Sequence, residues 1–228
     1  MNLLTLPREG MIHVWHLDCA AWTARESSLS HDESEQALKY HRPSDRRLFV
    51  ATRNVLRALL SRYLNRRAEQ FQFDKGVYGK PILRGENGMH FNVSHSGSHA
   101  ALAFSQEEVG IDLEKEDGKL DVQELARQFF AEEEKAKLED QTGVKARQLF
   151  YRYWVRKEAY LKAKGVGLQE DLARWSMDFS GKSSGKVDRW IVEDLKEASP
   201  GYFAAACGPV DKTPSRIEER WNSEEGAS

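Results

Sequence analysis

The stretch VGIDLEK, Val109–Lys115, opens the second half of the chain and restarts the order of elements with which the first half began. Val109, Ile111 and Leu113 alternate with Gly110, Asp112 and Glu114, the period-two pattern of a strand with two unlike faces. The acidic face has two readings. It can meet solvent, as one face of a half-buried strand commonly does. Alternatively, two carboxylates roughly 7 Å apart at Cα, for a rise of about 3.3 Å per residue, can hold a hard cation between them.

Working upstream, MIHVWHLD (Met11–Asp18) alternates as a first strand, and a short acidic helix is expected over DESEQALKYH (Asp32–His41). SDRRLFVATRNVLRALLSRYLN (Ser44–Asn65) carries Leu48, Val55, Leu56, Leu59, Leu60, Tyr63 and Leu64 on one 3.6-period stripe and predicts a long helix. Strands are expected near Phe71–Phe73, His90–Ser94 and Ala100–Ser105, separated by Gly and Pro turns. Downstream of VGIDLE come two short helices, DVQELARQFF and AEEEKAKLED, and then the long VKARQLFYRYWVRKEAYLKAKG. Three more strands are expected at Trp175–Phe179, Arg189–Asp194 and Tyr202–Cys207.

Strand, helices, three strands: the order occurs twice, although the two halves do not repeat in sequence. The economical fold is α+β, with two similar subdomains related by a pseudo-two-fold, each a small mostly antiparallel sheet packed by a long helix. The expected division is 1–105, 106–210 and a polar, disordered tail over 211–228. The cleft between the halves is the default ligand site.

Composition excludes several classes. The 228 residues include 34 Lys and Arg against 36 Asp and Glu, a net charge of -2, which gives no general reason to expect a nucleic-acid partner and leaves room for a local basic pocket. No run approaches the roughly 20 apolar residues that span a bilayer, and MNLLTLPREG reads as neither signal peptide nor anchor. Cys19 and Cys207 form no disulfide framework or zinc spacing, which points to a reducing cytoplasm.

Two further segments carry chemistry. In WVRKEAYLKAKGVGL, Trp154, Glu158 and Lys162 fall at i, i+4 and i+8 on one helix face. An exposed Glu–Lys ion pair accounts for the last two equally well. Gly165 and Gly167 are placed to end this helix. In FNVSHSGSH, the small residues around His95 can offer N–H and hydroxyl groups to phosphate oxygens, or simply form a polar hairpin turn. Lys80, in YGKPIL, sits in a turn.

The ordered set GKP, FNVSHS, VGIDLE, FFAEEE and WVRKEAYLKAKGVGL resembles the 4′-phosphopantetheinyl transferases of the larger, surfactin-synthetase-activating (Sfp) type, over roughly Phe49 to Leu168. That resemblance implies transfer of the phosphopantetheine arm of coenzyme A to a serine of an apo acyl, peptidyl or aryl carrier protein, with release of adenosine 3′,5′-bisphosphate. It implies Mg²⁺ as cofactor, held by Asp112, Glu114 and Glu158. Lys162 would reach phosphoryl oxygens and act in catalysis with Glu158, the general base either directly or through a metal-bound water. Coenzyme A would be bound by Ser94 and His95 at phosphate, by Lys157 and Lys162 along the helix, and by Arg53 and Lys80 at the 3′-phosphate and nucleotide end. Glu134 matches a recurrent family position, and it is also a first-turn acid of the kind a helix dipole favours. A monomer is expected, without nucleic-acid or membrane partners.

Two competing functions remain open at this stage. Another Mg²⁺-dependent phosphoryl or nucleotidyl transferase could use the same carboxylates, although no Walker loop or kinase motif is present. A non-catalytic module that binds coenzyme A or a carrier protein is the other.

Overall fold

The computed structural model describes residues 3–20, 22, 29–76, 78–86, 88–167, 171–195, 199–209 and, as backbone only, 216–221. In chain order its elements are β1 (Ile12–Asp18), α1 (His31–Leu38), α2 (Pro43–Leu64), β2 (Phe73–Lys75), β3 (Pro81–Leu83), β4 (His90–Ser96) and β5 (His99–Ser105). The second half follows with β6 (Gly110–Lys115), α3 (Val122–Phe129), α4 (Glu132–Glu139), α5 (Gly143–Lys164), β7 (Ser184–Val187), β8 (Trp190–Asp194), β9 (Tyr202–Pro209) and β10 (Arg216–Trp221).

Each half is organised by a 22-residue helix. Pro43 opens α2, where its missing N–H costs nothing, and Asn65 ends it in the left-handed conformation. Its stripe, Leu48, Val55, Leu56, Leu59, Leu60 and Tyr63, is buried against Trp15, Leu17, Leu102 and Phe104 of the sheet. The last turn of α5 closes on Gly165, whose N–H donates to the Leu161 carbonyl at 2.9 Å. This helix buries Phe150, Tyr153, Ala159 and Ala163 against Val192, Ala205 and Cys207.

One sheet runs β10-β1-β5-β4 and the other β6-β9-β8-β7; all neighbours are antiparallel except the parallel pair β1–β10. The faces turned away from the helices pack on each other through Ile12, Val14, Ala101, Ala103, Val109, Ile111, Leu113, Ala204 and Ala206. The layers are therefore α2, sheet, sheet, α5, with mostly small side chains between the sheets. VGIDLE consequently has no solvated face: its aliphatic side faces the other sheet and its acidic side faces α5. Gly110 shows how close that helix comes, since a Cβ there would lie 2.0 Å from the Ala159 carbonyl oxygen and 2.4 Å from the Ala163 nitrogen.

The α+β class and the paired sheet-and-helix plan agree with the sequence, and three local expectations need correction. The segment Trp175–Phe179 is not a strand, because side chains take its backbone groups. Met177 N–H donates to Glu134, the Met177 carbonyl accepts from Arg156, and the Trp175 carbonyl accepts from Lys157. The third strand is instead β7, Ser184–Val187. The strand expected over Phe71–Phe73 lies at Phe73–Lys75 and pairs with β3, which the Gly- and Pro-rich sequence concealed. Finally, the tail is not wholly without structure: residues 216–221 form β10 beside β1. An edge strand needs only backbone pairing on one side, so a polar composition does not forbid it. The remainder of that tail lies outside the described residues.

Candidate active site

The two sheets meet along β4 and β6, and there side chains replace the backbone ladder. Asn92 Oδ1 accepts from Ile111 N–H at 2.8 Å, Ser94 Oγ donates to Asp112 Oδ1 at 2.9 Å, and Ser96 Oγ donates to Glu114 Oε2 at 2.8 Å. Serines two apart on one strand thus meet carboxylates two apart on the other. From α5, Lys162 Nζ reaches Asp112 Oδ1 at 2.6 Å and Ser94 Oγ at 3.1 Å.

Asp112 is only 2% exposed, yet its Oδ2 has no hydrogen-bond partner among the described residues. Buried Glu158 Oε1 is in the same condition. Burying an unpaired carboxylate oxygen is costly, and the titration of the cluster records that cost. Glu158 is pushed up to about 7, first by desolvation and then by the Asp112 charge, with Lys162 giving partial relief and Glu114 adding repulsion. Glu114 is raised by desolvation and by Asp112, against the hydrogen bond from Ser96 and the Lys162 charge. Asp112, Glu114 and Glu158 therefore form one electrostatic unit around Lys162. Among the described residues no group of three or more His, Cys, Asp or Glu side chains is arranged to hold a metal ion, so these carboxylates would have to close on one.

His95 projects from the other side of β4. Desolvation lowers its pKa foremost, a backbone hydrogen bond works against that shift, and the Lys162 and Arg53 charges add to it. Arg53, on α2, lies 3.8 Å from Glu33 Oε1 with the rings of Phe49 and Phe73 within 5.8 Å. Glu33 is held more tightly by buried Arg57, at 2.8 Å, which leaves much of the Arg53 charge available to an anion.

Four residues singled out in the sequence take other roles. Lys157 is 1% exposed on the far side of α5; its ammonium pairs with Glu134 at 2.8 Å and also donates to the Leu172 and Trp175 carbonyls, so it cannot serve coenzyme A. Glu134 is its fully buried partner: Oε2 caps α4 at Ala131 N–H (2.8 Å) and Oε1 accepts from Met177 N–H (2.6 Å). Helix-start chemistry, extended by an ion pair, accounts for that glutamate. Lys80 donates to the Val109 and Lys162 carbonyls at 2.9 and 2.8 Å, and so clamps the first half to the ends of β6 and α5. Ser94, expected at phosphate, is buried against Asp112 instead. Asn92, Ser96 and Gly110 also belong to this junction; the S-x-S and D-x-E spacings match, but only the strand register shows that they face each other.

Comparison with known proteins covers both halves. The model of the 4′-phosphopantetheinyl transferase superfamily matches residues 108–207, and that of the 4′-phosphopantetheinyl transferase N-terminal region matches residues 13–107. The chain is 40% identical over 150 residues to the slr0495 protein of Synechocystis sp., 64% of this chain and 61%, under two thirds, of that protein. It is 37% identical over 175 residues to the 4′-phosphopantetheinyl transferase HetI of Nostoc sp., covering 73% of each. To the 4′-phosphopantetheinyl transferase Sfp of Bacillus subtilis it is 30% identical over 208 residues, 83% of this chain and 91% of the relative.

Proposed function

The chain belongs to the 4′-phosphopantetheinyl transferase superfamily, enzymes that transfer phosphopantetheine to carrier proteins, and we propose that it takes the arm from coenzyme A in a Mg²⁺-dependent reaction. The observation that carries this reading is the pair of buried, unpartnered oxygens, Asp112 Oδ2 and Glu158 Oε1, beside the Lys162 ammonium. An all-oxygen donor set suits a hard divalent ion that keeps several waters and substrate phosphate oxygens. Asp112, Glu114 and Glu158 would hold Mg²⁺, which would screen the pyrophosphate charge.

Glu158, whose second carboxylate oxygen would remain beside the bound ion, would accept the proton of the carrier's serine hydroxyl. The serine oxygen bonds to the pantetheine-side phosphorus. The bond from that phosphorus to the bridging oxygen breaks, and its electron pair leaves with adenosine 3′,5′-bisphosphate. Lys162 would trade its contact with Asp112 for the oxygens on which that charge develops. His95 and Arg53 line the first-half wall and would take the nucleotide-end phosphates. Because β4 comes from one half and β6 and α5 from the other, a single chain supplies the whole cluster, which supports action as a monomer. Cys19 and Cys207 are both free and buried, which fits a reducing setting such as the cytoplasm.

Intact-mass measurement of apo acyl, peptidyl and aryl carrier domains, incubated with coenzyme A and the enzyme with or without Mg²⁺, tests this. The expected result is one added phosphopantetheine per carrier in the presence of Mg²⁺ alone. Failure to modify any carrier class would overturn the proposal, and full activity in chelator would overturn its metal component.

A further inference from the structure

Ser96 has both of its hydrogen-bonding functions committed to β6. Its oxygen accepts from Lys115 N–H at 3.1 Å, and its single proton goes to Glu114 Oε2 at 2.8 Å. The backbone amide can only donate and the ionised carboxylate can only accept, so the hydroxyl proton goes to Glu114. The strand beneath it is equally fixed. Gly97 follows at φ 59, and a Cβ there would come within 2.5 Å of the Tyr202 hydroxyl and 2.7 Å of Lys115 Cδ. The Tyr202 hydroxyl in turn accepts from Ser98 N–H at 3.2 Å. The hairpin tip is therefore seated on β6 and β9, and Ser96 cannot drift away from Glu114.

We propose that Ser96 is the positioning residue of Glu114: it holds one carboxylate oxygen in place so that the other is directed to a divalent cation shared with Asp112 and Glu158. The inference rests on the metal reading above. A carboxylate on a solvated strand needs no such brace. Here the carboxylate is tied at one oxygen by the Ser96 hydroxyl, and without that bond it would be free to rotate about its side chain. Ser94 does the same for Asp112, but shares that oxygen with Lys162; Ser96 is the only side chain among the described residues seen to donate to Glu114.

The test is Mn²⁺ binding to the full-length protein without coenzyme A, followed by the electron paramagnetic resonance signal of the free ion. Ser96→Ala should weaken Mn²⁺ binding by about 10–100-fold, the usual effect of removing a group that orients a metal ligand. Ser96→Thr keeps the hydroxyl and should restore binding, and Asp112→Asn should abolish it. Ser96→Cys, close in volume but a poor donor, is held to the alanine expectation if the alanine variant does not fold. Loss of Mn²⁺ in Asp112→Asn with unchanged affinity in Ser96→Ala or Ser96→Cys overturns the role of Ser96 and leaves the metal site standing. Unchanged affinity in Asp112→Asn overturns both.

Discussion

Replacing Glu158 by glutamine should make the metal-free enzyme more stable while disabling it. The folded protein raises this carboxyl from 4.5 to about 7, mainly by desolvation. The folded state thus holds the proton more tightly than the unfolded chain, and stability declines as pH rises from about 4.5 through about 7, then levels off. A shift of that size corresponds to roughly 3 kcal/mol at high pH. Glu158 is half-buried, and solvent screening reduces the figure to about 1–2 kcal/mol. For a chain of this length that is about 2–8 °C in Tm. Thermal melts of wild type and Glu158→Gln in chelator, at pH 4.5 and pH 8, should show the variant ahead at pH 8 and level at pH 4.5. Saturating Mg²⁺ should raise the wild type by about 2.7 kcal/mol at a hundred times its Kd and the variant by much less. Single-turnover transfer by the variant should fall by about 10²–10⁴-fold and stay low at high Mg²⁺. A stability advantage independent of pH, or none at all, would refute the account of the cluster; full recovery of turnover at high Mg²⁺ would refute Glu158 as the base.

Other outcomes follow from the geometry. Gly110→Ala forces a methyl group into the backbone of α5, and its cost should be at least about 3 kcal/mol, seen as insoluble protein or a collapsed melting temperature. Lys157→Met leaves buried Glu134 unpaired and should cost about 3–5 kcal/mol in urea unfolding, while the KM for coenzyme A of the folded fraction stays at the wild-type value. Lys80→Met strips the donor from two carbonyls at the junction of the halves; a loss of about 1–3 kcal/mol is expected, with a rise in KM as α5 loosens. His95→Ala and Arg53→Ala should each weaken coenzyme A binding by about 1.5–3 kcal/mol in calorimetry. With dephospho-coenzyme A the Arg53 effect should largely vanish; equal losses on both ligands would move Arg53 away from the 3′-phosphate.

The sequence by itself determined the helices, most of the strands, the doubled order of elements, the pairing of Asp112 with Glu114 on one strand face, and that of Glu158 with Lys162 on one helix face. These are periodic properties: residues two apart on a strand or four apart on a helix share a face whatever surrounds them. It did not determine which lysines are free to meet a substrate. Lys80, Lys157 and Lys162 are alike as letters. One clamps two carbonyls, one is sealed against Glu134, and one stands at the carboxylates. Nor could it show that Ser94 and Ser96 brace Asp112 and Glu114, or that part of a polar tail becomes an edge strand on β1. Those facts depend on partners 18, 23, 29, 50 and 82 residues apart in the chain, or farther still for β10. Short-range periodicity fixes the direction in which a side chain leaves its own element. What waits for it there is set by the register of strands and helices brought together only when the chain is packed.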